Sequence, residues 1–339
     1  MTNGLTALRW SIETGKPATV AAPQLADVAG ACEWLATVRA GVIAGLEQHG
    51  AVYLRGLPIR SARDFAAARD VLIRRQAGYQ EKATPRSTLG DGVFSSTDLP
   101  ATQSIQPHNE NSYTLTFPGL LLFGCLVAPG TGGATPVTDC RQVLRSLPPD
   151  LVERFRTRGW GLLRNYAEHL SINWSTALGL SSAAEVPDFC ARNAIAYRWH
   201  DDGHLRTGQR RSAIIRHPRT GADVWFNHVA FWSEWSLDPE IREVLVDEFG
   251  HDNLPFNTTY GDGSAVSADE ITSINRAYAE ATVRADWEPG ALLLVDNILA
   301  AHGREAFTGD RTVVVAMGDP TDLADCAPTV HAAPMAQIG

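Results

Sequence analysis

Apolar residues recur at helical spacing in several segments of the chain, and each of these segments carries a terminal signal. One predicted helix covers residues 25–49 and ends at Gly50, since glycine suits the position that follows a helix. Asp238-Pro239 supplies an N-cap residue followed by proline at the first helical position. Ser267 and Glu270 have the spacing of a capping box. The four helices are predicted at 25–49, from Asp150, from Asp238 and after Ser267.

Short runs of β-branched and aromatic residues, bounded by Gly, Pro or Asn, predict strands elsewhere. These strands are not regularly interleaved with helices, which argues against a doubly wound parallel sheet. We therefore predict a mainly β fold with flanking helices (α+β), built on a mostly antiparallel double-stranded β-helix, or jelly-roll, core. The predicted strands are 51–57, 120–129, 133–139, 213–218, 223–229, 291–297 and 312–319.

One stretch does not fit this pattern. Residues 165–212 are polar and broken by Gly and Pro, and they are interpreted as an insertion or lid between core strands. No segment resembles a linker long enough to separate two domains, so residues 1–339 are predicted to form a single domain. Lys82 and the segment that follows it resemble a loop that could close over a substrate, although an ordinary surface loop has the same composition.

Composition limits the classes of partner. The net charge is −9, which argues against nucleic acid or an anionic membrane as the main ligand, because both require a basic surface. The first residues lack the features of a signal peptide, and the apolar runs are too short to cross a bilayer. Five scattered cysteines without a CxxC motif predict reduced thiols. A cytoplasmic protein with a small-molecule partner is expected.

Candidate metal ligands come from a His-x-acid step. With 10 His and 38 acidic residues in 339, chance alone gives about one such match, so the motif is weak by itself. His200-Asp201-Asp202 lies in a polar stretch and is interpreted as a solvated loop. His108 and Glu110 lie just before the apolar strand 120–129. If they follow a strand, both side chains point the same way.

The C-terminal part of the chain supports the interpretation of His108 and Glu110 as metal ligands. His302 follows the predicted strand 291–297 and could complete a centre of two histidines and one carboxylate, which leaves three positions of an iron(II) ion open. A keto diacid that chelates such an ion needs a cation for its distal carboxylate, and a guanidinium is the best partner. Arg311 can lie on the same face as the metal, and Thr135 could add a hydroxyl group.

Together these segments resemble the TauD/TfdA family of iron(II)/2-oxoglutarate-dependent oxygenases. The likeness covers most of the chain, from HGAVYLRGL to the strand near residue 319, and rests on PHNENSY, PGLLLFGCLVAPGTGGATPVTD, WFNH and LLLVDN followed by HGREAFTGDR. It implies a double-stranded β-helix core with iron(II) and 2-oxoglutarate. Carried over by motif, the iron ligands are His108, Glu110 and His302, the 2-oxoglutarate contacts are Thr135 and Arg311, and Asn297 supports the metal site.

Two departures from the family pattern bear on the expected reaction and on the expected contacts of 2-oxoglutarate. The acid is Glu110 where much of the family has Asp, which resembles the branch that contains clavaminate synthase and the amino-acid hydroxylases of peptide-antibiotic pathways. Related halogenases replace this acid by a small residue, so Glu110 indicates oxygen insertion. An arginine often found four residues after the 2-oxoglutarate-binding one is absent, since Val315 stands there. Arg311 would then hold the carboxylate alone or with Thr135.

The resemblance implies a dioxygenase that hydroxylates an unactivated C–H bond of an amino acid or amino-acid-derived intermediate, free or tethered to a carrier protein, with release of succinate and CO2. Desaturation, epoxidation or cyclisation at the same centre is the main alternative. A metal-binding jelly roll without catalysis is another, although it would not need Arg311. Arg164, Asn227 and His228 are candidate substrate contacts. Arg164 could equally be a salt-bridge residue, and the aromatic segment 224–235 could be an ordinary buried strand.

Overall fold

The computed structural model describes residues 8–78, 81, 86–166, 172–201 and 203–338. Four of its helices lie where the sequence predicts them, and four others, at 62–72, 140–146, 174–178 and 186–192, were not predicted. Asp27 caps the first helix by accepting a hydrogen bond from the Gly30 N–H, and Gly50 ends it with a φ of 77°. The predicted capping box of Ser267 and Glu270 is present. The helices are α1 (Val28–His49), α2 (Ala62–Leu72), α3 (Cys140–Ser146), α4 (Pro149–Arg158), α5 (Trp174–Leu178), α6 (Val186–Arg192), α7 (Pro239–Phe249) and α8 (Ala268–Glu280).

The strands form several sheets, and the described pairs are antiparallel except for one parallel pair near the N-terminus. The prediction of a mainly β chain with helices is confirmed. The strands are β1 (Trp10–Ser11), β2 (Ala18–Ala21), β3 (Ala51–Arg55), β4 (Thr88–Gly90), β5 (Val93–Ser95), β6 (Ile105–His108), β7 (Thr116–Val127), β8 (Thr131–Gly132), β9 (Val137–Asp139), β10 (Trp160–Tyr166), β11 (Ala196–Trp199), β12 (Leu205–Arg211), β13 (Ile214–Arg216), β14 (Asp223–Trp225), β15 (Phe256–Tyr260), β16 (Thr282–Val283), β17 (Leu292–Asp296), β18 (Ala300–Arg304), β19 (Phe307–Thr308), β20 (Thr312–Asp322) and β21 (Ala333–Pro334).

The largest sheet has the order β1-β2-β3-β17-β7-β20-β5-β4 and is apolar on both faces. Alternate residues of one strand point to opposite faces. Leu120 and Leu122 of β7 therefore pack in the cluster that contains α1 and α2. Leu121 and Phe123 pack on the other face, in the cluster that includes Val137 of β9. This arrangement explains why β7 and β17 are nearly continuous apolar runs, because each strand is covered on both sides.

A smaller sheet, with the order β16-β9-β18-β6, faces the large one and carries the candidate ligands. A third sheet, with the order β11-β12-β10-β15 and with β21 paired to β12, is separate from both. It contains the strands that lie between residues 165 and 212, a region that the sequence left unassigned, and short helices account for the other regular structure there. The bonds in this sheet join segments that are far apart in sequence, so a local pattern does not reveal them. Whether the region is an insertion or lid stays a prediction.

Helix α1 is, in the described part of the chain, long and apolar enough to cross a membrane. Its apolar side instead packs in the protein core, where Leu35, Val42 and Leu46 are buried. Arg39 donates hydrogen bonds to the backbone carbonyls of Val71 and Leu72 at the end of α2. A single helix of this kind is weak support for a membrane span, since core helices have the same composition.

Helix α7 has the predicted cap at Asp238 but no buried residue. Ile241 and Val244 are 56% and 61% exposed. The helix packs mainly against the short turns on either side of it, at Glu234–Ser236 and His251–Asn253, rather than against a sheet. Its apolar residues predict a helix correctly, whereas their burial depends on tertiary contacts that the pattern does not encode.

Candidate metal and co-substrate site

Two neighbouring strands bring the candidate histidines together. In the antiparallel pair of β18 and β6, His302 lies directly opposite His108, and their ring centroids are 4.4 Å apart. The Nε2 atom of His302 lies 3.9 Å from Oε2 of Glu110. One ligand atom from each of the three side chains lies within 4.8 Å of the others, and no other such group occurs among the described residues. Two imidazoles and one carboxylate can therefore share a single ion.

Glu110 lies in a turn, whereas the sequence analysis placed it on a strand together with His108. Strand β6 ends at His108, and Asn111 has a positive φ of 55°. Asn297 holds the turn, because its Oδ1 accepts from the Glu110 N–H at 2.7 Å and its Nδ2 donates to the Glu110 carbonyl at 2.9 Å. The same Nδ2 group donates to the Pro118 carbonyl at 2.7 Å. A buried amide thus fixes the backbone that carries the carboxylate.

The protonation states suit metal binding. A carbonyl can only accept a hydrogen bond, so the 3.0 Å contact between His108 Nδ1 and the Gln106 carbonyl places the ring proton on Nδ1. This leaves the Nε2 lone pair of His108 free to bind. Burial lowers the pKa of His108. Burial also brings the pKa of His302 well below its usual value, and the neighbouring His108 and Arg86 lower the pKa of His302 further. Both rings are neutral near pH 7, which is the form that binds a metal, so this donor set fits a divalent ion.

The three side chains line a cavity of about 650 Å³, a volume that includes its opening to solvent. Of the other predicted residues, the cavity contains Thr135, His228 and Arg311. Sequence analysis missed Arg86, which also lines it and forms a buried ion pair with Glu110 at 2.6 Å. Arg86 lies 24 residues before its partner, in the segment interpreted as a closing loop, and no local signal marks it.

Arg311 lines the same cavity and lies immediately before β20. Its Nε donates to the Gly133 carbonyl at 2.9 Å, and its NH1 donates to Oγ of Ser96 at 3.1 Å. Its NH2 lies 3.5 Å from Oγ1 of Thr135. Burial lowers the pKa of Arg311 to about 10, so it remains a cation at neutral pH. Guanidinium and hydroxyl groups thus converge at one end of the cavity, where they can receive a carboxylate.

Thr135 has a further neighbour that the sequence did not indicate. Its Oγ1 accepts a hydrogen bond from Nε1 of Trp287 at 3.2 Å. With its acceptor role used in this way, the hydroxyl proton of Thr135 can be donated to a ligand. Trp287 packs in the core between the two facing sheets and therefore positions this hydroxyl group.

His228 lies beside the histidine pair, with its ring 5.6 Å from that of His108. It stacks on Trp232 at 4.2 Å, and its Nδ1 is 2.6 Å from Oγ of Ser112. Burial lowers the pKa of His228 well below its usual value, with a smaller contribution from His108. A neutral ring with one nitrogen held by Ser112 can present the other as a hydrogen-bonding group.

The structure does not bring the other two candidate substrate residues into this cavity. Arg164 is buried in β10, with its guanidinium over the rings of Tyr166 and Phe256. Asn227 is buried in a turn, where its amide donates to the Ala213 carbonyl and accepts from the Val229 N–H. Lys82 lies outside the described residues. A substrate role for Arg164 or Asn227 stays a prediction.

Comparison with known proteins agrees with this arrangement. Residues 14–317 match the family described as "Taurine catabolism dioxygenase TauD, TfdA family". The chain is 36% identical over 275 residues to the dapdiamide synthesis protein DdaC of Enterobacter agglomerans, covering 81% of this chain and 84% of that protein. It is 26% identical over 286 residues to a clavaminate synthase-like protein of Arabidopsis thaliana, covering 80% and 82%.

Solved structures show the same fold. The crystal structure of PvcB from Pseudomonas aeruginosa aligns with a TM-score of 0.54 at 14% identity, over 98% of this chain and 97% of that one. PvcB is described as an Fe, alpha-ketoglutarate dependent oxygenase from an isonitrile synthetic pathway. The family match spans most of the chain. The protein therefore belongs to the TauD/TfdA family of dioxygenases, which use Fe(II) and 2-oxoglutarate.

Proposed function

We propose that His108, Glu110 and His302 hold the Fe(II) of this dioxygenase. The observation that carries this assignment is the convergence of their ligand atoms within 4.8 Å at the wall of one cavity. The bound metal supplies oxygen activation, and the protein supplies the geometry that leaves part of the coordination sphere open. Asn297 fixes the turn that presents Glu110.

Arg311 and Thr135 bind the distal carboxylate of 2-oxoglutarate in this proposal. Their polar groups converge in the same cavity as the three ligands, and each is already oriented by a neighbour. A guanidinium whose Nε is held by the Gly133 carbonyl has lost part of its freedom before the ligand arrives. Less conformational entropy of this side chain is therefore lost when the co-substrate binds.

The primary substrate occupies the remaining space beside His228. We infer hydroxylation of an unactivated C–H bond of an amino acid or amino-acid-derived intermediate, free or carrier-tethered, in specialised metabolism. The similarity to a dapdiamide synthesis protein supports this substrate class. His228 is neutral and lines the cavity, so it can orient a polar group of the substrate. Product analysis separates hydroxylation from desaturation, epoxidation or cyclisation at the same centre.

The same proposal extends to fold and setting. The large sheet and the sheet containing β18 form the two walls of a double-stranded β-helix, and residues 1–339 form one domain. The packing of Phe123 of β7 against His302 of β18, with ring centroids 5.1 Å apart, supports this arrangement. The absence of disulfides among the five cysteines is consistent with a cytoplasmic enzyme.

Anaerobic addition of Fe(II) and 2-oxoglutarate tests the proposed site directly. We expect a weak visible charge-transfer band, because the keto acid chelates the bound metal. Succinate should then form when oxygen and a substrate are admitted. The matched control is Fe(II) with succinate, which lacks the keto group and should give no band. No band at saturating 2-oxoglutarate, with the protein folded, would contradict the assignment.

Replacing Asn297 by alanine should weaken metal binding as well as stability. The change leaves the buried Glu110 N–H and two carbonyls without their partner, a loss of about 2–4 kcal/mol in the free energy of unfolding. We expect Mn(II) affinity to fall about 10- to 100-fold, since the turn carrying Glu110 is no longer fixed. Urea denaturation and equilibrium dialysis measure the two effects.

Asn227→Ala is the matched control for this prediction. Asn227 also uses its buried amide for two backbone hydrogen bonds, but it lies outside the cavity lining. A similar loss of stability with nearly unchanged Mn(II) affinity is expected. If both variants lost the same metal affinity, the effect of Asn297 would be a general consequence of destabilisation.

A further inference from the structure

The buried ion pair of Arg86 with Glu110 indicates how the primary substrate is held. This interpretation rests on the proposed function. The two side chains are 6% and 7% exposed, and Arg86 NH2 contacts Oε2 of Glu110 at 2.6 Å. The same Oε2 atom is the one that lies 3.9 Å from Nε2 of His302. Arg86 therefore holds the carboxylate oxygen that lies near the ring of His302, another proposed metal ligand.

Metal binding changes this ion pair. A divalent ion held by Glu110 would draw on the negative charge that this carboxylate shares with Arg86, and it would repel the guanidinium, because two cations in a buried site interact strongly. A buried guanidinium is costly without an anion nearby. Metal binding at Glu110 would thus make a second anionic group next to Arg86 more favourable than it is in the empty site.

The charges of the side chains that line the cavity also favour an anionic group on the substrate. Of the described residues that line it, Glu110 is the acid, whereas three are arginines: Arg86, Arg304 and Arg311. Arg304 donates to the backbone carbonyls of Leu99, Pro100 and Gln103, which engages both of its terminal nitrogens. Arg311 lies with Thr135 at the end assigned to 2-oxoglutarate. Arg86 is the cation that lies on the Glu110 side of the metal.

We propose that Arg86 is a specificity-determining residue that binds a carboxylate of the primary substrate. The guanidinium passes from Glu110 to this carboxylate when the metal-loaded site fills, and the substrate is anchored beside the metal. The substrate class is then a free carboxylic acid, of the amino acid or N-acylated amino acid type. A substrate whose carboxyl group is consumed in a thioester or amide would leave Arg86 without this partner.

Matched acids and amides test the proposal. Protein loaded with Mn(II) and N-oxalylglycine is titrated with the standard L-amino acids and their N-acetyl derivatives, each paired with its C-terminal carboxamide. Binding is measured by thermal shift and calorimetry. At least one acid should bind, and its carboxamide should bind about 100-fold more weakly, because a buried charged partner is left unmatched. Arg86→Gln should bind this acid about as weakly as its amide.

Two comparison variants complete the experiment. Arg86→Lys keeps the charge without the planar fork and should retain part of the discrimination. Arg60→Gln makes the same change of net charge at an exposed position outside the cavity, and it should behave as the unaltered protein. Binding of Mn(II) and N-oxalylglycine is measured first in every variant, so that failure of the proposed metal site is distinguished from failure of this inference.

Several results would overturn the inference. One is that no acid in the panel binds the loaded protein. Another is that acids and amides bind equally, or that Arg86→Gln still prefers the acid. A loss of N-oxalylglycine affinity in Arg86→Gln with intact acid preference would assign Arg86 to the co-substrate instead.

Discussion

Replacing His302 by alanine should abolish 2-oxoglutarate-dependent succinate formation, with a loss of about 1000-fold or more. His302 contributes one of the three converging ligand atoms, and the group that they form contains no fourth described histidine or acid. Two remaining ligands hold an ion weakly, so Mn(II) affinity should fall in parallel. Succinate release and equilibrium dialysis measure the two losses, and His108→Ala should behave in the same way.

The control for this result is His331→Ala, since His331 is exposed and lies outside the cavity lining. It should retain full turnover and metal binding. Circular dichroism shows whether each variant is folded. A folded His302→Ala protein that releases succinate at nearly the normal rate would reject the metal assignment.

Replacing Arg311 by glutamine should act on the co-substrate rather than on the metal. Truncating one partner of a buried charged pair costs about 2–5 kcal/mol, so the KM for 2-oxoglutarate should rise about 30-fold or more. Mn(II) affinity in the absence of 2-oxoglutarate should be unchanged or slightly higher, because a nearby positive charge has been removed. Steady-state kinetics with varied 2-oxoglutarate, together with metal titration, separates these effects.

Arg311→Lys tests the geometry of the same contact. Lysine keeps the charge but cannot form two parallel hydrogen bonds, so an intermediate KM is expected. If the KM for 2-oxoglutarate were normal in Arg311→Gln, the distal carboxylate would have to be bound elsewhere in the cavity, and the roles of Arg311 and Thr135 would be wrong.

The parts of the structure that local chemistry determines could be predicted from the sequence. The caps at Gly50, Asp238 and Ser267 depend on residues within a few positions, and each is present. The meeting of His108 and Glu110 with His302 could be predicted because the spacing, the predicted strands and the family resemblance agreed. Adjacent strands then placed His302 opposite His108.

Features that depend on packing between distant segments could not be predicted. The turn that carries Glu110 exists because Asn297, 187 residues away, bonds both sides of its backbone. The contact of Arg86 with Glu110 and that of Trp287 with Thr135 likewise join segments whose proximity no periodicity encodes. The exposure of Ile241 and Val244 shows the same limit, since a helical pattern does not specify what the helix packs against.

The position of β6 at the outer edge of its four-stranded sheet would give iron bound at the proposed site a mechanical role as well. An edge strand is held by hydrogen bonds on one side only, and here the register with β18 is irregular between His302 and Arg304. An ion bound by both His108 and His302 is a cross-link between these two strands. Loss of the metal would weaken the pairing of β6 with β18 at the point where the ligands must be aligned. Metal binding and the ordering of this edge strand would therefore depend on each other.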